Sequence, residues 1–311
     1  MPELPEVETI KEGLAKRIVG VTINDVKVLN PKSFIGNHQE IIGGKVAAID
    51  RRAKILIIKT ISNPSPPVGG SLRTSQQSAI NYLLIHLKMT GQLIYRLKID
   101  DLRFKNENTQ RYDVEKLPNK YTRAIISFTN GAKLYFNDLR KFGWMKLVKV
   151  KSQMSNVKTK INEVIGANLG PEPFSDEFSP EYLKKIFSKT VRAIKLVLMD
   201  QEKIAGVGNI YASEALFEAR ILPTKPAKKL GNSEIQKLRE AIVKVLEKGI
   251  KYGGSTSADE AYRNITGEKG KMQEHFAVYE REGGKCPRCG GMIKKIRLGG
   301  RGTYYCPKCQ K

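Results

Sequence analysis

Val7, Ile10, Leu14 and Ile18 recur at three- and four-residue steps, with Lys11, Glu12, Lys16 and Arg17 between them. That period puts the apolar side chains on one face and predicts a helix near the start of the chain. From residue 21 the pattern changes to short apolar runs at 21–29, 45–49, 55–61, 82–86, 93–95, 123–128, 133–136 and 144–150. These runs are rich in β-branched and aromatic residues and are divided by Gly, Asn and Asp, which predicts strands. Thr129-Asn130-Gly131-Ala132 has the composition of a hairpin turn between two of them. Many short strands with little helix point to an antiparallel sandwich. From Ser179 the helical period returns, over 180–188, 191–200, 209–219 and 233–251. Ser179-Pro180-Glu181 reads as an N-cap with proline in the first turn. The fold class is therefore α+β, with more than one domain.

Two stretches interrupt the strand series. Residues 62–78 are rich in Ser, Pro and Gly, and residues 98–120 are charged and polar; both read as surface insertions. Residues 151–160 are polar and basic, as a linker between domains would be. A chain of 311 residues suits two domains or one domain with smaller modules. Its net charge of +24 points to a polyanion, most often nucleic acid, although a ribosomal protein would carry similar charge. No apolar run approaches the length of a membrane span and the start has no secretory pattern. The expected location is the cytoplasm, in association with the nucleoid, and no membrane partner is expected.

The candidate chemistry lies at three places. All four cysteines fall in the last 26 residues, as Cys286-x-x-Cys289 and Cys306-x-x-Cys309 with sixteen residues between the pairs. That is the spacing of a four-thiolate zinc site. Two disulfides are the alternative, and a chain without a secretion signal disfavours them. Eight basic and no acidic residues lie between Lys285 and Lys311, and Gly299-Gly300-Arg301-Gly302 reads as the tip of a zinc-pinned hairpin. Ala205-Gly206-Val207-Gly208-Asn209 is a tight turn before a helix. It reads equally as a phosphate-binding helix N-terminus and as a plain helix connection capped by Asn209. At the start, removal of Met1 would expose the secondary amine of Pro2. An α-amino group titrates near pH 8, so part of it is nucleophilic at neutral pH and can form an imine with a sugar aldehyde. Glu3 is a neighbouring acid/base. The plain alternative is a helix start with Pro5 and Glu6 in the first turn.

These pieces together resemble one family. Pro2-Glu3-Leu4-Pro5-Glu6-Val7-Glu8-Thr9, Ala205-Gly206-Val207-Gly208-Asn209-Ile210-Tyr211-Ala212-Ser213-Glu214 and the four-cysteine hairpin are similar to formamidopyrimidine-DNA glycosylases, as are Arg51-Arg52-Ala53-Lys54, His86-Leu87-Lys88-Met89-Thr90-Gly91 and Leu169-Gly170-Pro171-Glu172-Pro173. The resemblance covers nearly the whole chain. It implies an N-terminal β-sandwich with a leading helix (1–150), a linker (151–165), a helix–two-turn–helix domain (166–258), a lesion-recognition loop and connector (259–284) and a zinc finger (285–311). It implies one structural zinc ion on Cys286, Cys289, Cys306 and Cys309, damaged double-stranded DNA as partner, and a monomer.

The implied activity is excision of oxidised purines followed by cleavage of the abasic site. By resemblance, Pro2 attacks the sugar, Glu3 assists proton transfer, Glu6 supports the site, and Lys54, His86, Asn209 and Arg301 grip phosphates. A damaged base must leave the stack before its glycosidic bond can be reached. Met89, Arg140 and Phe142 match the residues that fill the space it leaves. The family usually has glycine and serine where this chain has Lys88 and Thr90; if position 88 needs a positive φ, lysine is strained there. Two rival readings are an endonuclease VIII-like enzyme for oxidised pyrimidines and a non-catalytic zinc-ribbon DNA-binding protein. Leu4-Pro5 and the segment 255–273, similar to a loop that closes over 8-oxoguanine, favour the purine branch; Pro2 and Glu3 favour an enzyme.

Overall fold

The apolar stripe near the start forms helix α1, Leu4–Ile18, with Lys16 and Arg17 in its last turn, where cations complement the helix dipole. The computed structural model describes residues 1–62, 79–97, 116–150, 163, 168–257 and 262–311. Nearly all of the insertion expected at 62–78, most of that expected at 98–120, and the linker at 151–165 apart from Glu163 lie outside the described residues. The described chain forms two compact units. The first comprises residues 1–2, 6–165 and 255–270; the second comprises residues 3–5, 166–254 and 271–311.

The first unit is the expected sandwich. Strands β1 (Ile23–Val28), β2 (Phe34–Ile35), β3 (Lys45–Arg52), β4 (Ile55–Ser62), β5 (Ala79–His86), β6 (Gly91–Arg96), β7 (Thr122–Phe128), β8 (Lys133–Asp138) and β9 (Trp144–Val150) form two sheets. Their orders are β1-β7-β8-β6 and β2-β9-β5-β4-β3. Among the described residues, all pairs are antiparallel except β2 with β9; β2 is a two-residue strand too short to read in the sequence. Val7, Ile10, Leu14 and Ile18 of α1 join Ile58, Leu83, Ile85, Leu93, Ile126 and Phe136 in one core. The β7–β8 turn is as expected, with Gly131 at φ 82° and the Asn130 carboxamide accepting from Ala132 N–H at 3.1 Å.

Ser255–Gly270 is part of this unit. Tyr262 and Ile265 lie in its core, and Tyr95 N–H donates to Ile265 C=O at 2.8 Å. Asn264 closes a turn here, its side-chain oxygen accepting from the N–H groups of Thr266 and Glu268, both at 3.0 Å.

In the second unit, Ser179 caps helix α2, Pro180–Ser188, as expected, accepting from Tyr182 N–H. The helix expected over 191–200 is only Ile194–Leu198, α3. Its leading residues are used otherwise: Arg192 C=O accepts from Ala227 N–H, and Ile194 N–H donates to Lys225 C=O. Asn209–Glu218 (α4) and Asn232–Lys251 (α5) follow. Strands β10 (Lys294–Leu298) and β11 (Arg301–Tyr305) form the C-terminal hairpin. Among the described residues, no helix is long and apolar enough to cross a membrane.

Candidate functional site

Helix α4 has no side-chain cap of its own: Gly208 is its N-cap, and Asn209 is the first helical residue. The cap comes from Glu3. Its carboxylate accepts from Ile210 N–H at 3.0 Å and Tyr211 N–H at 3.4 Å, and the side chain is buried. The two glycines are needed for this approach. A Cβ on Gly208 would lie 2.3 Å from the Glu3 carboxyl carbon, and one on Gly206, which has φ 95°, would lie 2.7 Å from Leu4. Leu4 N–H donates to Gly206 C=O at 3.1 Å. The N–H groups of Ile210 and Tyr211, at the start of the helix, are thus engaged by Glu3. Asn209 is not a cap. Its side-chain amide donates to Gly302 C=O at 3.2 Å and sits 3.4 Å from the Tyr279 hydroxyl.

Lys195 is a residue the sequence reading missed. It is fully buried, and its ammonium donates to Thr303 Oγ1 at 2.9 Å and Gly302 C=O at 3.2 Å. Burial drives its pKa down to about 7; nearby Glu3 opposes that shift and Arg301 adds to it. The available signal was a single cation inside the apolar run 193–199. Glu214 is likewise buried, and its carboxylate accepts from the N–H groups of Ala277, Val278 and Tyr279 at 2.8–3.0 Å. It fixes the turn at 277–279 that leads toward the hairpin. Burial raises its pKa, and those three hydrogen bonds partly offset the rise.

Arg301 is exposed on the far side of the turn Gly299-Gly300, whose φ values of 55° and 76° make the primed two-residue turn that suits a hairpin. Behind it, the four cysteine sulfurs lie within 4.8 Å of one another. The Cys289 and Cys306 sulfurs are 3.5 Å apart, and those of Cys286 and Cys309 are 3.8 Å apart. A disulfide needs about 2.05 Å. Four sulfurs at about 2.3 Å from a tetrahedral zinc stand about 3.8 Å apart, so the four donors fit one structural zinc ion.

In the first unit, Pro2 is buried. Glu6 is also buried, and its carboxylate accepts from Ser255 N–H at 2.7 Å, which ties the start of the 255–270 segment to α1. Lys54 sits in the β3–β4 turn, where Ala53 has φ 53°. Arg51 braces this turn, donating to Ala53 C=O at 2.9 Å and to the Glu8 carboxylate at 2.7 Å. Burial opposes ionisation of Glu8, but hydrogen bonds from Lys11 and Arg51, with their charges, hold its pKa below the usual carboxylate value.

His86 ends β5, and its Nδ1 accepts from Lys88 N–H at 3.0 Å. Burial, with the charges of Lys88 and Lys54, lowers its pKa to about 3. The ring is therefore neutral, with its proton on Nε2. Lys88 has φ 52°, the strained left-handed conformation anticipated for this position. It presents Met89, which is 37% exposed, while Phe142 is 54% exposed and the Arg140 guanidinium lies 4.9 Å from the Phe142 ring centre.

Thus Lys54, His86, Met89, Arg140 and Phe142 belong to the first unit, and Glu3, Asn209 and Arg301 to the second.

The family models match along the chain in the same order. The formamidopyrimidine-DNA glycosylase N-terminal domain matches residues 1–145, the formamidopyrimidine-DNA glycosylase H2TH domain matches 169–261, and a zinc finger found in FPG and IleRS matches 283–311. The chain belongs to the formamidopyrimidine-DNA glycosylase family. A formamidopyrimidine-DNA glycosylase of Prochlorococcus marinus is 37% identical, and one of Bacillus cereus 36% identical. Each alignment covers all of this chain, with 100% of the first relative and 99% of the second. Among solved structures, the Lactococcus lactis FPG mutant G226P in complex with Fapy-dG-containing DNA is similar over the full length of both chains, with TM-score 0.79 and 31% identity. A complex of the same species' Fpg with DNA containing an abasic site matches with TM-score 0.77 and 31% identity over 99% of each chain.

Proposed function

We propose that the chain removes oxidised purines, 8-oxoguanine and formamidopyrimidines, from duplex DNA and then cuts the abasic site. The observation that carries this reading is Glu3. A buried carboxylate, adjacent in the chain to Pro2, is fixed by two backbone N–H groups of α4 in the way a positioned acid/base must be.

After Met1 is removed, the Pro2 nitrogen bonds to C1′ of the damaged nucleotide. The glycosidic bond breaks, and its electron pair leaves with the base, which takes up a proton. Glu3 protonates the ring oxygen as the sugar opens to the iminium. Loss of a C2′ proton then expels the 3′ phosphate. A further proton loss from the sugar expels the 5′ phosphate, so both eliminations leave the imine on Pro2 for hydrolysis. Lys54, His86, Asn209 and Arg301 hold phosphates in this scheme; a neutral His86 with Nε2–H serves as a donor without changing charge near neutral pH. Met89, Arg140 and Phe142 occupy the gap left by the turned-out base, a role their exposure suits. The structural zinc supplies no chemistry to the reaction; the four cysteines that hold it support the hairpin carrying Arg301. A DNA partner would place the protein with the nucleoid.

Substrate class is tested by comparing duplexes carrying 8-oxoguanine or thymine glycol under single-turnover conditions. The proposal expects faster excision of 8-oxoguanine. Faster release of thymine glycol would move the chain to the pyrimidine reading, a class not foreign to the fold: one similar Lactococcus lactis structure holds an oxidised pyrimidine-containing DNA. The segment 264–270, rich in glycine and closed by Asn264, remains the proposed contact to the flipped base. Because Ile265 is in the core and the Glu268 carboxylate accepts from Asn264 and Thr266, the clean probe is substitution of exposed Lys269 rather than deletion of the segment.

A further inference from the structure

The two turns that carry Met89 and the Arg140–Phe142 pair share a topological property. Each one crosses between the sheets of the sandwich. The β5–β6 turn runs from the five-stranded sheet to the four-stranded sheet, and the β8–β9 turn runs back. The crossings lie side by side. Gly91 pairs with Asp138 at one end, and His86 pairs with Trp144 at the other.

Between them sits a carboxylate that the proposed chemistry leaves unused. Asp138 is 1% exposed. Its Oδ2 accepts from Gly143 N–H at 2.7 Å, and its Oδ1 accepts from Arg140 N–H at 3.2 Å and from the Thr90 hydroxyl. The Thr90 oxygen itself accepts from Arg140 N–H at 3.0 Å. Thr90 is buried, directly after exposed Met89. Its hydroxyl thus donates to one turn's carboxylate and accepts from the same turn's backbone. Gly143 is confined in the same place: a Cβ there would lie 2.9 Å from Phe136, 3.1 Å from Asp138 Oδ2 and 3.2 Å from His86 C=O.

We propose that Thr90 and Asp138 form a clasp that locks the two sheet-crossing turns in one register, so that Met89 and the Arg140–Phe142 pair enter the DNA stack as a single unit. The inference rests on the insertion role given to those three residues above. It makes Thr90 and Asp138 positioning residues, whose effect passes through side chains that touch DNA. Removing the hydroxyl leaves a buried carboxylate short of a donor and lets the turns move independently, a change felt only where a duplex must be held open.

The test compares Thr90→Val, which keeps shape and loses the hydroxyl, with Thr90→Ser, which keeps the hydroxyl. Two reactions are followed for each: excision of 8-oxoguanine from duplex DNA, and cleavage of an abasic site in single-stranded DNA, where there is no stack to hold open. Fluorescence of 2-aminopurine opposite an abasic site reports how well the gap is filled. Thr90→Val is expected to slow duplex excision about tenfold, with weaker gap filling, to leave single-strand cleavage within about twofold, and to add little in a Met89→Ala background. Thr90→Ser is expected to recover most of the loss. Wild-type duplex excision by Thr90→Val, alongside an impaired Met89→Ala, would overturn the clasp alone. Wild-type excision by Met89→Ala would overturn the insertion role and the clasp with it. Equal loss of both reactions would make Thr90 a general structural residue and also overturn the clasp. A measurement on the unaltered protein gives an independent check: the Arg140 and Gly143 amides should exchange slowly with solvent although their turn is at the surface, and exchange at the rate of an open loop would contradict the inference.

Discussion

The start of α4 and the paired sheet crossings both carry proposed functional groups, and they treat polarity in opposite ways. At α4, charged groups are buried and each is held by named partners: Glu3 by two N–H groups, Lys195 by a hydroxyl and a carbonyl. At the crossings, apolar side chains face outward, and the buried carboxylate of Asp138 lies beneath them. A group that moves protons needs a fixed environment, because its protonation is set by what surrounds it. A group that enters a base stack must be available at the surface, and its precision has to come from the turn below it. The first region should therefore fail through chemistry when altered, and the second through fit.

The largest effect is expected at Glu3. Glu3→Gln should slow 8-oxoguanine excision by about a hundredfold or more, with DNA binding changed only a few-fold. Single-turnover rates and gel-shift titrations would check this, and a parallel loss of binding would make Glu3 a structural cap only. Next is Gly208→Ala, whose Cβ would meet the Glu3 carboxyl. It should destabilise the protein by about 1–3 kcal/mol in denaturant melts. Gly231→Ala, at the N-cap of α5 with open space around it, separates the capping effect from the clash: it should cost only about 1 kcal/mol or less, because alanine is the poorer N-cap but meets no atom.

Lys195 gives a pH test of the buried region. Its pKa is about 7 in the folded protein and about 10.4 in an unfolded chain. Between these values the unfolded chain holds more protons, so stability rises with pH across that window, and the cost of the buried charge is greatest below it. Melting midpoints from pH 6.5 to 9.5 should show a positive trend that Lys195→Met flattens; an unchanged trend would remove Lys195 as its source. The smallest effect belongs to the exposed hairpin. Arg301→Ala should make the salt dependence of DNA binding shallower by about one phosphate contact, and an identical slope would mean that Arg301 does not touch the backbone.

The two regions also differ in how far they could be read from the sequence. Alternating strands, the α1 stripe and the cysteine spacing are local patterns, and each appears in the structure close to where the residues placed it. A positive φ at Lys88 is legible only as a condition, from the glycine that the family usually has there, and the observed φ of 52° meets that condition. The partner of the α4 N-terminus was not legible. Gly206 and Gly208 announce a close approach, but what approaches is Glu3, some two hundred residues earlier. Lys195, Glu214 and Asp138 were missed for the same reason. A buried polar residue is defined by its hydrogen-bond partners, and those come from distant segments that periodicity does not connect. The helix expected over 191–200 was overestimated because the backbone of 192–194 bonds to 225–227 instead, a tertiary choice invisible to local propensity.

The most direct test of the proposed chemistry is borohydride trapping on an 8-oxoguanine duplex. Reduction should freeze the imine as a covalent protein–DNA adduct, and mass spectrometry of the digested adduct should place it on Pro2 at a chain end lacking Met1. An adduct on an internal lysine, Lys54 or Lys195 included, or no adduct while excision proceeds, would contradict the assignment of Pro2 as the nucleophile.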